Sequence, residues 1–307
     1  MSLHCTHPKT TKSSRVMFLK GLGLVSDGAE VPKRPKGSGC NPLIREFESP
    51  PLLITMAKIL IRPKRVADGR TVQEEKFFYV ADPSKEYHCC DGKVEAADLK
   101  KPKLTTNKGI ELFCIDTSFI DEYKHMKRSP QMVPLKDIGP IIAYTGIIKD
   151  SKVLDAGAGS GGICTLLAKI AKKVYSYEIR DDFHALVKNN IRELGLKNIT
   201  LKKQDVYQGI KEKDLDVIIF DLPEPWKAIP HANKALKTGG FLVIYSPSIP
   251  QIMDAMTAIA KEPGLIPQRT IEVIERDWEI TDRKVRPRSA QIAHSGFLIF
   301  ARKIAGD

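Results

Sequence analysis

Hydrophobic and polar positions change rhythm along the chain. From Lys58 to about Cys114, short apolar segments (Ile59-Leu60-Ile61, Phe77-Phe78-Tyr79-Val80 and Glu111-Leu112-Phe113-Cys114-Ile115) alternate with turn clusters such as Ala67-Asp68-Gly69 and Cys90-Asp91-Gly92. Short strands between turns predict a small β domain. Asp116-Thr117-Ser118 then supplies capping oxygens for a helix over 119–126, which links that domain to the remainder of the chain. After Pro134 strands and helices alternate. Helices are expected near 136–145, 162–172, 181–194, 226–236 and 250–261, and strands at 152–155, 173–178, 199–203, 216–220 and 239–245. Such alternation implies a parallel sheet covered by helices on both faces. Two closing strands, 270–279 and 296–303, follow each other without a helix and imply one antiparallel edge strand.

These patterns divide the chain into a disordered extension (1–55), a small β domain (56–116), a linker helix and loop (117–135) and an α/β domain (136–307). The first segment is dominated by Ser, Thr, Lys, Pro and Gly, holds no period and closes on Pro50-Pro51. Structured patterning begins at Ala57, which makes Met56 a candidate start; a flexible basic tail that brushes nucleic acid is the other reading.

Composition adds bounds rather than detail. A chain of 307 residues with 42% hydrophobic content can bury a substantial core. No apolar run approaches the roughly 20 residues of a membrane span, and Lys20 breaks the patch near Phe18 to Val25, so neither a membrane segment nor a signal-peptide core is expected and the cytosol follows. Six cysteines without Cys-x-x-Cys spacing imply reduced thiols and no structural metal. The net charge of +12 points towards a polyanionic partner, although a basic balance alone is a weak signal.

The candidate chemistry starts at Val153-Leu154-Asp155-Ala156-Gly157-Ala158-Gly159-Ser160-Gly161-Gly162, where an apolar strand ends in a glycine-dense turn that opens into a helix. Glycines let the backbone approach a ligand, and the free N–H groups of the helix present partial positive charge, so the turn is a nucleotide cradle. Because Gly157, Gly159 and Gly162 also fit G-x-G-x-x-G, a nicotinamide-dependent oxidoreductase and a methyltransferase both accept it. Glu178, at the end of the second strand, is placed to meet ribose hydroxyls in either case. Asp155 suits a methyltransferase better: a carboxylate beside the turn would repel a pyrophosphate but attract the cationic amino-acid end of S-adenosylmethionine; as the alternative it caps the turn. Asp205, at the end of the third strand, is either an acceptor for an adenine amine or a solvated loop acid. At the end of the fourth strand, Asp221-Leu222-Pro223-Glu224-Pro225-Trp226 combines one acid, two rigid prolines and one flat ring in the crevice that such sheets use for ligands. That set suits a planar amine-bearing base held for methyl transfer, with Trp226 as a core aromatic and Asp221 as a helix cap in the competing reading.

With these residues on view, the chain resembles the tRNA adenine-N1 methyltransferases that modify the T-loop adenosine at position 58, and in some archaeal members also 57. Matching features are the glycine turn, Tyr177-Glu178-Ile179-Arg180, Asp221 to Trp226, Ala293-His294-Ser295-Gly296-Phe297-Leu298-Ile299-Phe300, Tyr123 to Ser129 with Gln131 and Lys136-Asp137, and Tyr87-His88-Cys89-Cys90-Asp91-Gly92. The similarity runs from about residue 58 to 303. One departure stands out: where members of the family commonly carry an aromatic or histidine, then proline, then Lys-Asp, this chain has Pro134-Leu135-Lys136-Asp137.

The resemblance implies a class I S-adenosylmethionine-dependent methyltransferase, with a Rossmann-like, mixed seven-stranded sheet, small N-terminal β domain and residues 136–307 as the catalytic domain. It implies that Asp155, Gly157, Gly159, Gly161 and Glu178 hold the cofactor, that Gln131 lies beside it and that Asp221 is catalytic; Ser160 in the turn, Asp205 by strand topology and Asp221 complete the expected cofactor-binding set. On the substrate side Trp226, Lys127, Arg128, Lys136, Arg288 and His294 are candidates, with Lys124, Arg283, Lys284 and Arg286 as further phosphate contacts. His125 and His294 have no metal-ligand partner at suitable spacing and read as packing or hydrogen-bonding residues. A folded tRNA would have to swing its adenosine out to reach Asp221. The implied partners are tRNA and copies of the same chain in a homotetramer, in the cytoplasm, with no membrane. Competing readings are another RNA or small-molecule N-methyltransferase, a nicotinamide-dependent oxidoreductase, and a non-catalytic RNA-binding subunit, which should have lost the glycine turn that this chain keeps.

Overall fold

Eight short strands precede the first helix: β1 (Lys58–Arg62), β2 (Arg65–Ala67), β3 (Arg70–Gln73), β4 (Lys76–Val80), β5 (Tyr87–Cys89), β6 (Gly92–Val94), β7 (Lys103–Thr105) and β8 (Glu111–Asp116). The computed structural model describes residues 57–305 except Gly69, Pro130, Gln131 and Asp282. The expected disordered extension and the candidate start at Met56 therefore lie outside the described residues. Strands β4, β1, β8 and β7 form one antiparallel sheet in that order, and β2–β3 and β5–β6 are separate hairpins. Period-two alternation does the sorting. Leu60 faces Phe78 and Cys114 across the ladder and joins Val80, Val94, Leu99, Leu104 and Leu112 in a small core.

The N–H and hydroxyl of Ser118 both donate to the Asp121 carboxylate, at 2.9 and 2.6 Å, and so fix the start of α1 (Phe119–His125). His125 stacks on Tyr79 of β4 at 3.9 Å between ring centroids, and Tyr123 packs with Met126 and Leu194. These contacts tie the small sheet to the α/β layer.

There the order is α2 (Leu135–Thr145), β9 (Lys152–Ala156), α3 (Gly162–Leu167), β10 (Lys173–Tyr177), α4 (Asp181–Glu193), β11 (Ile199–Lys202), β12 (Leu215–Asp221), α5 (Ile229–Ala235), β13 (Leu236–Ser246), α6 (Ile249–Lys261), β14 (Leu265–Glu272), the hairpin β15 (Trp278–Thr281) and β16 (Lys284–Pro287), and β17 (Phe297–Lys303). Seven strands form a mixed sheet in the order β11-β10-β9-β12-β13-β17-β14. Central strands are apolar on both faces because both are covered. Leu154, Ile218, Phe220, Leu242 and Ile244 pack towards α5 and α6, whereas Val153, Val217, Ile219 and Val243 belong to the core shared with α2, α3 and α4. No helix of the described residues is long and apolar enough to cross a membrane.

Four expectations need correction. The antiparallel strand is not at the edge: β17 pairs with β13 and β14 on its two sides, which leaves β14 outermost. Its run Phe297-Leu298-Ile299-Phe300 demands cover on both faces, and an interior position supplies it. The strand expected at 270–279 lies instead at Leu265–Glu272, masked in the sequence by Pro267, which the edge tolerates at a register shift. Trp278 and Glu279 then belong to the separate β15–β16 hairpin. The helix expected over 226–236 splits into a 3-10 turn (Pro225–Ala228) and α5, because Pro230 has no N–H and fits only a first turn. Helix α3 stops at Leu167, after which Lys169 and Ile170 make tighter i−3 bonds and Lys172 and Lys173 are drawn to the Ser151 carbonyl.

Phe220 is fully buried at the centre of the sheet, while Phe113 is 40% exposed. Phe220→Ala should therefore cost about 3–5 kcal/mol in urea unfolding, and Phe113→Ala, which leaves the core of the single chain untouched, clearly less.

Candidate active site

The turn after β9 is built on glycine. Gly157, Gly159 and Gly161 have φ of +88°, +53° and +85°. A Cβ on Gly157 would lie 2.0 Å from the carbonyl oxygen of Asp221, so only glycine lets the turn press against the end of β12. Glu178 braces the turn: its Oε2 accepts from the Gly159 N–H and its Oε1 from the Arg180 N–H, both at 2.9 Å. The Ser160 hydroxyl accepts the Ser129 N–H at 2.7 Å, and Asn190 donates to the carbonyls of Lys127 and Ser160. Residues 127–129 are thereby stapled over the turn, and Gly161 caps α3 behind it.

These elements enclose a cleft of about 670 Å³ at the carboxyl ends of the strands, lined by Gly157, Gly159, Glu178, Asp205 and Asp221 among others. Five sequence-predicted residues thus meet in one space. Asp155, in β9, and Ser160 and Gly161, in the turn that follows it, are not on the lining. The Asp205 carboxylate accepts the Tyr207 N–H at 2.9 Å and so caps a 3-10 turn while facing the cleft. Gln131 lies outside the described residues.

The electrostatics of the cleft are one-sided. Asp155 is fully buried; Ser176 donates to its Oδ2 at 3.4 Å, and its Oδ1 has no hydrogen-bond partner. Burial, followed by the negative charge of Asp221, pushes its carboxyl up to about 7. Burial alone pushes Asp221 up to about 6, and its carboxylate makes no ion pair or hydrogen bond among the described residues. A fully buried acid with one unpartnered oxygen, Asp155, and a half-buried acid without a cation, Asp221, beside a glycine cradle fit a ligand that carries positive charge next to a nucleoside.

The substrate-side expectations fare differently. Trp226 packs against the hydrophobic core and does not line the cleft; its neighbours Pro225 and Ala228 are buried, which pulls the ring inward. Lys136 is not a free phosphate contact, because its ammonium is buried with only 7% of the side chain exposed and donates to Asp137, the Val273 carbonyl and Ser295. His294 bridges Glu272 and the Pro247 carbonyl at 2.6 and 2.9 Å, outside the cleft lining; the Glu272 hydrogen bond raises its pKa. That arrangement matches the hydrogen-bonding reading. Lys127, Arg128 and Arg288 are exposed and off the lining, with Lys127 3.9 Å from Glu193 and the Arg288 N–H bonded to the Asp277 carbonyl.

Sequence reasoning missed Tyr245, Tyr207, Phe183 and Ser295, all of which line the cleft. Tyr245 is the most telling, since β12 and β13 are in register with Asp221 beside Tyr245. The rule that placed Asp221 at a strand end would have found Tyr245 one strand over.

Comparison with known proteins gives the family and the fold. The profile of the family described as "tRNA methyltransferase complex GCD14 subunit" matches residues 124–293. The tRNA (adenine(57)-N(1)/adenine(58)-N(1))-methyltransferase TrmI of Methanocaldococcus jannaschii is 34% identical over 242 residues, 69% of this chain and 86% of that protein. This chain belongs to the tRNA (adenine-N1)-methyltransferase family. Thermus thermophilus TrmI, a tRNA (adenine(58)-N(1))-methyltransferase, is 33% identical over 204 residues, covering 64% of this chain and 79% of that one. Among solved structures, an S-adenosylmethionine-dependent O-methyltransferase from Thermotoga maritima superposes with a TM-score of 0.72 at 27% identity, over 83% of this chain and 96% of that one. TrmI from Aquifex aeolicus, at 20% identity and a TM-score of 0.66, covers 81% and 97% and shares the fold. The small N-terminal β sheet and mixed seven-stranded sheet are thus the architecture of an S-adenosylmethionine-dependent methyltransferase.

Both acids have folded pKa values above their unfolded ones, so the folded state holds extra protons between about pH 4 and about pH 7. Stability of the ligand-free protein should fall as pH rises through that window. Asp155→Asn should flatten the slope, which urea midpoints taken across the window will show.

Proposed function

We propose that this chain methylates N1 of the T-loop adenosine of tRNA at position 58, with Asp221 as the catalytic carboxylate. The observation that carries this reading is the pair of uncompensated acids beside the glycine turn, Asp155 fully buried and Asp221 half-buried. S-adenosylmethionine supplies an electrophilic methyl group on a sulfonium and brings the positive charge that this pair lacks. Glu178 would hold its ribose side, Asp205 its adenine, and Asp155 would act through its charge on the amino-acid end, with the glycine turn giving the ligand room. Gln131 is assigned to the same ligand by the resemblance alone.

Adenine N1 carries its own lone pair, so the site needs no strong base to make it attack. What the ring needs is an answer to the positive charge it gains. Asp221, half-buried and free of other partners, can accept a hydrogen bond from the exocyclic amine as that charge develops. Low local dielectric strengthens the contact, and a cation nearby keeps the carboxyl ionised at neutral pH. Tyr245 faces the same space from the next strand.

Exposed Lys127, Arg128 and Arg288, with Arg283, Lys284 and Arg286 near the β15–β16 hairpin, are the phosphate contacts of this reading, although Lys284 and Arg286 also pair with Glu279. The reading includes a cytoplasmic homotetramer. Exposed Phe77, Phe113 and Ile115 on the outer face of the small sheet support burial of that face against another copy.

Incubation of the chain with S-adenosylmethionine and unmodified tRNA, followed by nucleoside mapping, should yield 1-methyladenosine at position 58; methyl groups on another base or on ribose would overturn the reading. Asp221→Ala should lower kcat by about a hundredfold or more with donor affinity nearly intact. In the unmodified enzyme kcat/KM for the donor should rise with pH as a group near 6 ionises in the free protein, a limb that Asp221→Asn abolishes.

A further inference from the structure

Strand β17 loses both of its neighbours at the same residue. Pairing with β13 ends at Ser246 opposite Phe297, and pairing with β14 ends at Glu272 opposite that same Phe297. The residue after Ser246 is Pro247, which has no N–H with which to continue a ladder. Three residues before Phe297, His294 reaches across to both flanks. Its Nδ1 lies 2.6 Å from Oε1 of Glu272, and its Nε2 lies 2.9 Å from the Pro247 carbonyl oxygen. The ring tilts against Phe297 at 4.9 Å between centroids.

Both partners are acceptors. A carbonyl oxygen does not donate, and between a carboxylate and an imidazole the proton settles on the imidazole, the stronger base. A neutral imidazole has one N–H and satisfies one of these contacts; an imidazolium has two and satisfies both. The groups that face the ring favour the charged state. Glu272 on β14 and then the Pro247 carbonyl at the end of β13 raise the pKa of His294 above its ordinary value. The Lys136 ammonium on α2 opposes them, but Asp137 stands 2.9 Å from it and offsets its charge.

An ordinary surface ion pair joins two side chains and contributes little. His294 instead joins three neighbouring strands at the rim of the cleft. Pro247, Ser295 and Tyr245 all line that cleft. A Cβ on Gly296 would lie 2.5 Å from Cζ of Tyr245, so the chain just after His294 rests directly on the tyrosine ring. In the sheet, β9 with its glycine turn and β10 with Glu178 lie on one side of β12, and β13, β17 and β14 lie on the other. The clasp therefore bounds the half of the cleft beyond Asp221 that the donor leaves for the acceptor base.

We propose that His294, held as an imidazolium, is a positioning residue whose two N–H groups clasp Glu272 and the Pro247 carbonyl and so fix the acceptor-base wall of the cleft. With both protons committed, it has none to give a phosphate. The clasp is whole while the ring is charged and loses one of its two bonds when the ring is neutral, so it opens as pH rises. The inference rests on the methyl-transfer reading for its purpose, but the protonation state is a property of the protein itself.

The test uses the full chain labelled with ¹⁵N-histidine, in which His294→Ala identifies the His294 resonances. At about pH 7 both ring nitrogens should show mainly imidazolium shifts, with a midpoint above that of free histidine. Glu272→Gln, whose amide oxygen still accepts but carries no charge, should lower that midpoint. In tRNA methylation, kcat/KM for tRNA should fall as pH rises through the same midpoint. That falling limb should move to lower pH in Glu272→Gln and vanish in His294→Ala, which should also lower kcat/KM for tRNA about tenfold near pH 7 with donor affinity unchanged. A contact that served only stability would change the rate without moving the limb. A His294 ring that is neutral at pH 7, or a limb that stays in place in Glu272→Gln, would overturn the proposal. Should the unaltered chain leave tRNA adenosine unmethylated while the resonances titrate as described, the functional reading fails and the clasp stands.

Discussion

The contact between the backbone of Gly157 and the carbonyl of Asp221 is the constraint on which the site depends. It joins the turn after β9 to the end of β12, two strands that lie side by side in the sheet. Any side chain at Gly157 would force them apart by more than the sheet can absorb. Because the approach is so close, the cradle for a nucleoside and the acid that faces it are parts of one rigid corner rather than two loops that must find each other.

Around that corner the protein handles buried charge in two opposite ways. Asp137 is enclosed with Lys136 and Ser295 so that each donor and acceptor among them has a partner. Asp155 and Asp221 are left without a cation, and both carboxyls are harder to ionise for it. The first arrangement holds a fixed geometry; the second leaves an electrostatic deficit that a positively charged ligand relieves. Tyr245 stands between them, its ring against the main chain at Gly296 and its face open to the cleft.

Much of this was legible in the residues themselves. The glycine spacing, the acid at the end of β10 and the acid at the end of β12 follow from strand-end topology, and all of them reach the cleft. What patterning could not show was partnership across long separations. Lys136 looks like a solvated charge until Asp137 and Ser295 are seen around it, and Trp226 looks like a platform for a base until the buried residues on either side turn it inward. The final strands were misread for a similar reason. Pro267 hides an edge strand, and nothing local in Phe297-Leu298-Ile299-Phe300 says that its neighbours will be β13 and β14.

The insertion of β17 between β13 and β14 has a bearing on how the protein is made. While a ribosome is still extending the chain, β13 and β14 cannot be bridged, since the strand that separates them emerges after both. Until then β13 offers a long unpaired apolar edge of the sort that invites wrong pairing. Gly296, whose missing side chain makes room for the Tyr245 ring, arrives with that same late strand, so the nascent chain completes its sheet and this corner of the cleft in a single closing event.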